Sequence, residues 1–182
     1  MVRQSPVGRS RWWSRSRGLP AAAYASWSAS LPSPVSRTPR ILAWAESLDG
    51  FCIGTPGALS YQRDGAWHHV GWHEMERGGW DVETRRLSWL RYDGAEGSVG
   101  LGEPGRVPEL FRERVAASIA VQKFVALAGE RGVTITARRD LGDESEITWH
   151  SSLTRGLTWQ TEGVRDAVDR AVAELRTEYD LG

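Results

Sequence analysis

The sequence predicts an α+β protein: a barrel of short antiparallel strands capped by a helix, then about three added strands and a C-terminal helix. Three features of the chain support this fold class. Turn signals recur about every eight to twelve residues from residue 48 onward, as in a meandering sheet. Apolar and polar residues alternate between many of these turns. A helical repeat of apolar residues closes the chain, whose 182 residues can bury a sizeable core.

The first forty residues differ in composition from the rest of the chain. They contain seven arginines, five of the eight prolines and no Asp or Glu. Such sequence buries too little apolar surface to offset its ordering entropy, so residues 1–40 are predicted to be a disordered leader. Three interpretations stay open: a targeting peptide, a basic arm that contacts nucleic acid or an anionic membrane, and translated sequence from an over-extended start. We favour the third.

The body of the protein, residues 41–182, is acidic. It holds 16 basic and 23 acidic residues, which argues against specific nucleic-acid binding. Cys52 is the single cysteine, so an intramolecular disulfide framework is excluded. No apolar run approaches the ~20 residues that a spanning helix needs. We expect a cytoplasmic protein whose body does not bind membranes.

Six or seven short strands are predicted in the first half of the body. Asp49-Gly50 and Asp64-Gly65 are typical of tight hairpin turns, because both dipeptides tolerate positive φ angles. The predicted strands are 41–45, 51–55, 58–62, 67–72, 76–82, 86–92 and, more briefly, 98–101.

A helix is predicted from Pro108, which suits a first helical turn, and Phe111 and Val115 then recur at helical spacing. Strands 122–127, 133–139 and 146–153 follow, and an amphipathic helix ends the chain. The predicted division is a leader at 1–40, a barrel with its helix at 41–121, and added strands with a helix at 122–182, packed as one unit with the barrel. The apolar stripe of the last helix is formed by Val164, Val168, Ala171, Val172, Leu175 and Tyr179.

The segment from Trp67 to Tyr92 is predicted to lie at the centre of the core. It contains four of the ten tryptophans, and aromatic side chains bury more apolar area than any others. On alternating strands such residues usually face the buried side. The predicted core comprises Trp72, Trp80, Trp89, Trp149, Phe111, Val115, Val168 and Leu175.

Six or seven short strands capped by one helix is the order found in pleckstrin-homology-like barrels, which residues 41 to about 120 resemble. The matching features are Gly57-Ala58-Leu59, the sequence from Val70 to Glu74, and the helix from Pro108. The body also resembles a group of small uncharacterised actinobacterial proteins, through Trp72-His73-Glu74, Trp80-Asp81 and the stretch 109–115. The resemblance implies an architecture and no particular activity.

Members of that superfamily that bind phosphoinositides carry basic residues around the first hairpin. Here the corresponding turn, residues 46–50, contains Glu46 and Asp49, so it would repel an anionic headgroup. Other members bind peptides on the barrel surface or edge. The resemblance therefore leaves a protein or peptide partner as the open option.

Three motifs could carry chemistry. His68, His69 and His73 are candidate metal ligands, but neighbouring strand residues point to opposite faces and no H-E-x-x-H spacing is present. Residues 100–105 satisfy G-x-G-x-x-G, but no good strand precedes them and no acidic residue stands at the ribose position. Cys52 lies in an apolar strand, where cysteine usually serves as a small buried side chain. We expect no cofactor and no catalytic set.

Two classes of function remain. The first is a non-enzymatic binding or scaffold module that uses the barrel edge or the terminal helix to bind a protein or peptide. The second is a small enzyme or ligand-binding protein with a pocket between the barrel and the added strands. We favour the binding module, because no nucleophile, base or metal set is visible.

Overall fold

A computed structural model describes residues 18–32, 38–142 and 146–179. The described chain is α+β, as predicted: three helices accompany three antiparallel sheets of four, three and three strands. The first helix, α1 (Ala21–Ser30), precedes the body and lies within the predicted leader. None of the helices in these ranges is both long and apolar enough to cross a membrane.

The first sheet is a meander of four strands in chain order. It consists of β1 (Ala43–Ser47), β2 (Gly50–Gly54), β3 (Ala58–Arg63) and β4 (Ala66–Gly71). Asp64 and Gly65 adopt φ angles of 52° and 76° in the turn between β3 and β4, which is the geometry that Asp-Gly favours.

The second sheet follows a short 3₁₀ turn, Trp72–Glu74. Its strands β5 (Met75–Asp81), β6 (Arg86–Arg91) and β7 (Glu96–Gly100) again pair in chain order, and helix α2 (Val107–Ala117) comes next. The predicted barrel is not closed. The 3₁₀ turn separates the two sheets, and one isolated bridge joins Ser47 to Leu101.

The inner faces of these two sheets and α2 enclose the first core. Trp72, Trp89 and Phe111 are buried there, whereas Trp80 and Val115 are partly buried against it. Trp72 packs edge-on against Phe111, and its indole N–H donates to the Thr55 carbonyl at 3.0 Å. The buried indole therefore keeps its hydrogen bond.

The third sheet has the order β10-β9-β8 and carries the last helix on one face. Its strands are β8 (Ile119–Ala128), β9 (Arg131–Arg139) and β10 (Ile147–Leu153), and the helix is α3 (Val164–Tyr179). Val133 and Ile135 form a second core with the apolar stripe of α3. In it Val168 and Leu175 are buried, and Trp149 packs at its margin.

Helix α1 is the main departure from the predicted leader. Three alanines start it after Pro20, and Leu31 leaves the helical conformation immediately before Pro32. The side chain of Trp27 is fully buried against the body. Composition predicts disorder here, because nothing in the local sequence indicates that Trp27 packs against the body. The predictions for residues 1–17 and 33–37 lie outside the described residues.

Candidate functional site

The outer face of the first sheet is unusually apolar for a surface that points away from the core. Strand pairing places Trp44, Ile53, Ser60 and His69 side by side across all four strands. Phe51 lies beside this row, with its ring centroid 6.1 Å from that of Trp44. Because neighbouring strand residues alternate between faces, the inward residues of the same strands already fill the first core. The outer row therefore forms a second, separate apolar surface.

Helix α1 covers part of this outer row. Trp27, Ile53 and Ser60 have relative exposures of 0%, 0% and 1%. At the rim, the Trp67 indole N–H donates to the hydroxyl of Ser26 at 3.0 Å. Ala23, the other buried residue of α1, has the small side chain that lets a helix approach a sheet closely. We call the area formed by Trp44, Phe51, Ile53, Ser60, Trp67 and His69 the outer aromatic face.

A chain of hydrogen bonds runs beneath α1. The indole N–H of Trp27 donates to Ser60 Oγ at 3.0 Å, and Ser60 Oγ lies 2.9 Å from His69 Nδ1. His69 Nε2 lies 3.2 Å from the backbone carbonyl of Ser30. An indole N–H can only donate, so Ser60 Oγ accepts from Trp27. A carbonyl can only accept, so His69 Nε2 carries the proton of a neutral ring, and Nδ1 accepts from the Ser60 hydroxyl. His69 Nε2–H then donates to Ser30, which assigns every proton in a neutral ring.

Burial lowers the pKa of His69 from its usual value of 6.5. The Ser30 carbonyl raises the pKa, and the neighbouring His68 lowers it. Burial is the largest of these causes, so the neutral ring is the form that fits beneath α1. The relay of Trp27, Ser60, His69 and Ser30 is thus complete without a charged group.

A second polar cluster joins the third sheet to the first two sheets and α2, which together we call the first unit. Arg138 is only 2% exposed, and its Cζ lies 5.6 Å from the ring centroid of Tyr92. A buried guanidinium needs an acceptor for nearly every N–H. It donates to five oxygens: Tyr92 Oη, Val115 O, Ser118 Oγ, Met75 O and Glu76 O.

His150 lies in the same junction. Its ring stacks on Tyr92 with centroids 3.7 Å apart, and its Nε2 lies 3.1 Å from the Thr148 hydroxyl. Burial first, then the charge of Arg138 and His73, lowers the pKa of His150, while Glu76 raises it. Ser152 donates to Glu76 at 3.0 Å on a separate hydrogen bond. A nucleophilic set needs a hydroxyl, a base and an orienting group that are linked by successive hydrogen bonds. Here the contact of Thr148 with His150 and the bond of Ser152 to Glu76 are separate, so the arrangement fits a structural connection between sheets.

Two open grooves mark the surface of the first unit. One, of about 620 Å³, lies over the second sheet, with Gly78, Gly79 and Gly97 among its lining residues and Arg63 and Arg77 at its sides. The other, of about 330 Å³, lies beside α2. Both are lined by residues between 40 and 114, so neither reaches the added strands. The pocket expected between barrel and added strands is not one of these two.

The three predicted metal ligands do not converge. His68 is exposed and stacks on Tyr61, whereas His69 lies beneath α1. His73 lies in the 3₁₀ turn, and its Nδ1 is 3.5 Å from Asp140 Oδ1. The described ranges contain no group of three or more His, Cys, Asp or Glu residues that could hold a metal ion.

The glycine-rich loop uses its backbone N–H groups internally. Leu101 N–H donates to the Arg85 carbonyl and Gly102 N–H to the Glu46 carbonyl, at 3.0 and 3.1 Å. A phosphate-binding loop must point such groups at its ligand. Cys52 is fully buried, and burial raises the pKa of its thiol to about 12. Both features are therefore structural in this fold.

Sequence reasoning missed Trp27 and Ser60. The signal was present in two parts: an alanine-rich stretch with one central tryptophan at 21–30, and aromatic residues at outward positions of the first sheet. Neither is informative alone, because only the folded chain brings the two together. Comparison of this chain with family models, with curated proteins and with solved structures finds no match.

Proposed function

We propose that this protein is a non-enzymatic binding module whose outer aromatic face recognises a short, tryptophan-bearing helical segment of polypeptide. The observation that carries the proposal is the complete burial of Trp27 on a surface separate from both cores. In this structure α1 occupies that surface. A ten-residue helix is marginal in water by itself, so α1 depends on the sheet that it covers.

The chemistry of the face favours a neutral helix with small residues around one indole. Ser60 and His69 supply the acceptor that a buried indole N–H requires, and Ile53 supplies apolar contact. A longer motif is not needed for recognition, because one buried aromatic anchor commonly dominates a small interface. Within α1, Tyr24 stays 44% exposed and is not such an anchor.

The order of four strands, three strands and a helix supports placing the first unit among pleckstrin-homology-like domains. The acidic first turn, with Glu46 and Asp49, makes a polypeptide a better partner than an anionic lipid. The alternative of a small enzyme or ligand-binding protein is less well supported, because the polar junction around Arg138 has its hydrogen bonds satisfied internally.

Binding in trans tests the proposal in the full chain. Trp27→Ala should free the outer aromatic face, and a fluorescent synthetic peptide of residues 18–32 should then bind it. The wild-type chain should bind the same peptide at least about tenfold more weakly, because its own α1 competes for the face. A tenfold difference corresponds to roughly 1.4 kcal/mol of docking free energy for α1.

Two peptide variants serve as controls. The peptide with Trp27→Ala should not bind, whereas the peptide with Tyr24→Ala should bind nearly as well as the native peptide, because Tyr24 is largely exposed. Equal binding of all three peptides, or no binding to the folded Trp27→Ala chain, would refute recognition through the indole.

A further inference from the structure

Strand β8 is an edge strand whose central part has little of the usual protection of a sheet edge. It is ten residues long and lies at one end of the third sheet, so its outer side pairs with no strand in the described part of the chain. An edge of this kind presents unpaired N–H and C=O groups to other chains. Natural edges are normally short, charged, bulged, interrupted by proline or covered.

The middle of β8 has few of these devices. Pairing with β9 is irregular between Ile119 and Val121 and again between Ala126 and Ala128, but the six residues from Val121 to Ala126 pair regularly. They contain no proline and a single charge, Lys123. Among the residues that the structure describes, no strand covers that run, so it can accept another strand.

Phe124 stands at the centre of this run and is 50% exposed. Four other large apolar side chains are comparably exposed among the residues described: Tyr24 and Tyr179 on helices, and Leu48 and Val82 in turns. Phe124 is thus the one member of the group that lies within a strand. Its direct partner in β9 is Thr134, and the tip of its ring lies over the diagonal neighbour Gly132, so the rest of the ring stays exposed.

We propose that β8 pairs antiparallel with β8 of a second copy of this chain, with Phe124 opposite Phe124. This pairing joins two three-stranded sheets into one of six strands. It is distinct from the outer aromatic face, which lies on another sheet.

The register follows from charge and apolar matching. With Phe124 on the two-fold axis, Lys123 faces Val125 and Gln122 faces Ala126 of the other copy. Centring the pair on Lys123 would instead place two like charges opposite each other, which is destabilising. A slip of one residue would exchange the faces of the strand, so Phe124 would meet Lys123.

The face that carries α3 is compatible with this pairing. Lys123 lies 3.4 Å from Glu178 of α3, so its charge already has a partner within its own chain. Val121 and Leu127 on the same face would stand opposite each other across the new pair. The strand is therefore nearly self-complementary, which favours a second copy over an unrelated extended peptide.

Disulfide trapping tests both the contact and its register in the full chain. Directly opposed residues of antiparallel strands have Cα atoms about 4.5–5.5 Å apart, which suits a disulfide. Phe124→Cys should therefore give a covalent dimer under mild oxidation. The native Cys52 is fully buried and does not compete.

Two variants control for random collision. Gln122→Cys lies on the same face, but its two copies would be several residues apart, so it should cross-link far more slowly. Val82→Cys is in an exposed turn of the second sheet and should also stay uncoupled. Cross-linking of Gln122→Cys as fast as Phe124→Cys would overturn the proposed register.

Sedimentation of the unmodified full chain gives an independent measurement. We expect a concentration-dependent dimer that Phe124→Lys converts to monomer and Val82→Lys leaves intact, with unchanged circular dichroism in both variants. A wild-type chain that stays monomeric up to about 1 mM, where association becomes marginal, would overturn the proposal. So would a dimer that survives Phe124→Lys.

Discussion

At the scale of the residue, Trp27 and His69 couple a helix to a sheet through a single serine hydroxyl. Ser60 accepts from the indole and donates to His69 Nδ1, and the other ring nitrogen binds the end of α1 at Ser30. The indole, the hydroxyl and the neutral imidazole each donate one proton, and the Ser30 carbonyl accepts the last of them. A second proton on His69 would remove the acceptor of the Ser60 hydroxyl proton, so the relay depends on the neutral ring.

This dependence predicts that docking of α1 weakens in acid. The folded-state pKa of His69 lies below 6.5, so the undocked ring binds more protons as pH falls through 6.5. The stabilisation is therefore complete above that pH and is lost on acidification towards the lowered pKa. The protection factors of amides 21–30, which compare the intrinsic with the observed exchange rate, should therefore fall as the pH is lowered from about 7.5 to 5.5.

His69→Gln is the matched control for this prediction. A glutamine keeps one donor and one acceptor but does not titrate, so exchange in α1 should lose its extra pH dependence. The local measurement is needed because His150, in the junction with the third sheet, also has a lowered pKa. Unchanged protection of α1 across this range in the wild-type chain would contradict the relay.

At the scale of the element, β5 carries two adjacent glycines in different surroundings. A Cβ on Gly78 would lie 2.5 Å from the Ser88 carbonyl oxygen and 2.6 Å from Phe111 Cζ. A Cβ on Gly79 would meet no atom within 4 Å. Both glycines are exposed, but they alternate along the strand: a Cβ on Gly78 would point to the face that carries Trp89 and Phe111, and a Cβ on Gly79 would point to the other face.

Alanine substitution should separate these two positions. Gly78→Ala should lower the free energy of unfolding by about 1–3 kcal/mol, since the backbone oxygen of Ser88 has little room to move. Gly79→Ala should change it by less than about 0.5 kcal/mol, as is usual for an open surface position. Denaturant unfolding measures both, and equal effects would mean that β5 does not pack as described.

At the scale of the whole molecule, Arg138 connects the two cores. Its guanidinium reaches from β9 of the third sheet to the end of α2 and the start of β5. The described contacts include no carboxylate within ion-pair distance of it, so its charge is stabilised by neutral oxygens. Removing the side chain would take a donor from each of these acceptors, of which Val115 O also accepts from the Ser118 hydroxyl at 2.8 Å.

Arg138→Leu should therefore cost about 3–5 kcal/mol, the range for an interrupted buried charged network. We also expect unfolding to lose cooperativity, with the third sheet and α3 melting before the first core. Arg138→Lys keeps the charge but cannot span several acceptors, so it should recover only part of the loss. Two-state unfolding of Arg138→Leu with less than about 1 kcal/mol lost would contradict a connecting role.

Local patterns were sufficient for most of the secondary structure. Strand alternation and Asp-Gly turns predicted every described strand to within a few residues, and the helix from Pro108 lies where the apolar repeat indicated. The stripe of α3 is also confirmed except at its end, where Tyr179 is 46% exposed. These features could be predicted because each depends on neighbours in the chain. The hypotheses of a metal site at His68, His69 and His73 and of a nucleotide site at residues 100–105 also depend on local spacing alone.

Two features depended on contacts between distant parts of the chain. Trp27 and Ser60 are 33 residues apart, and Arg138 donates to oxygens up to 63 residues away. An alanine-rich stretch with one tryptophan does not signal whether it docks, and an arginine at the end of a strand is ordinarily exposed. By itself, the sequence determined the α+β class and the order of its elements, because periodicity and turn chemistry are local. Only the tertiary structure decided which faces are covered and which polar groups meet, because burial depends on the packing of the whole chain.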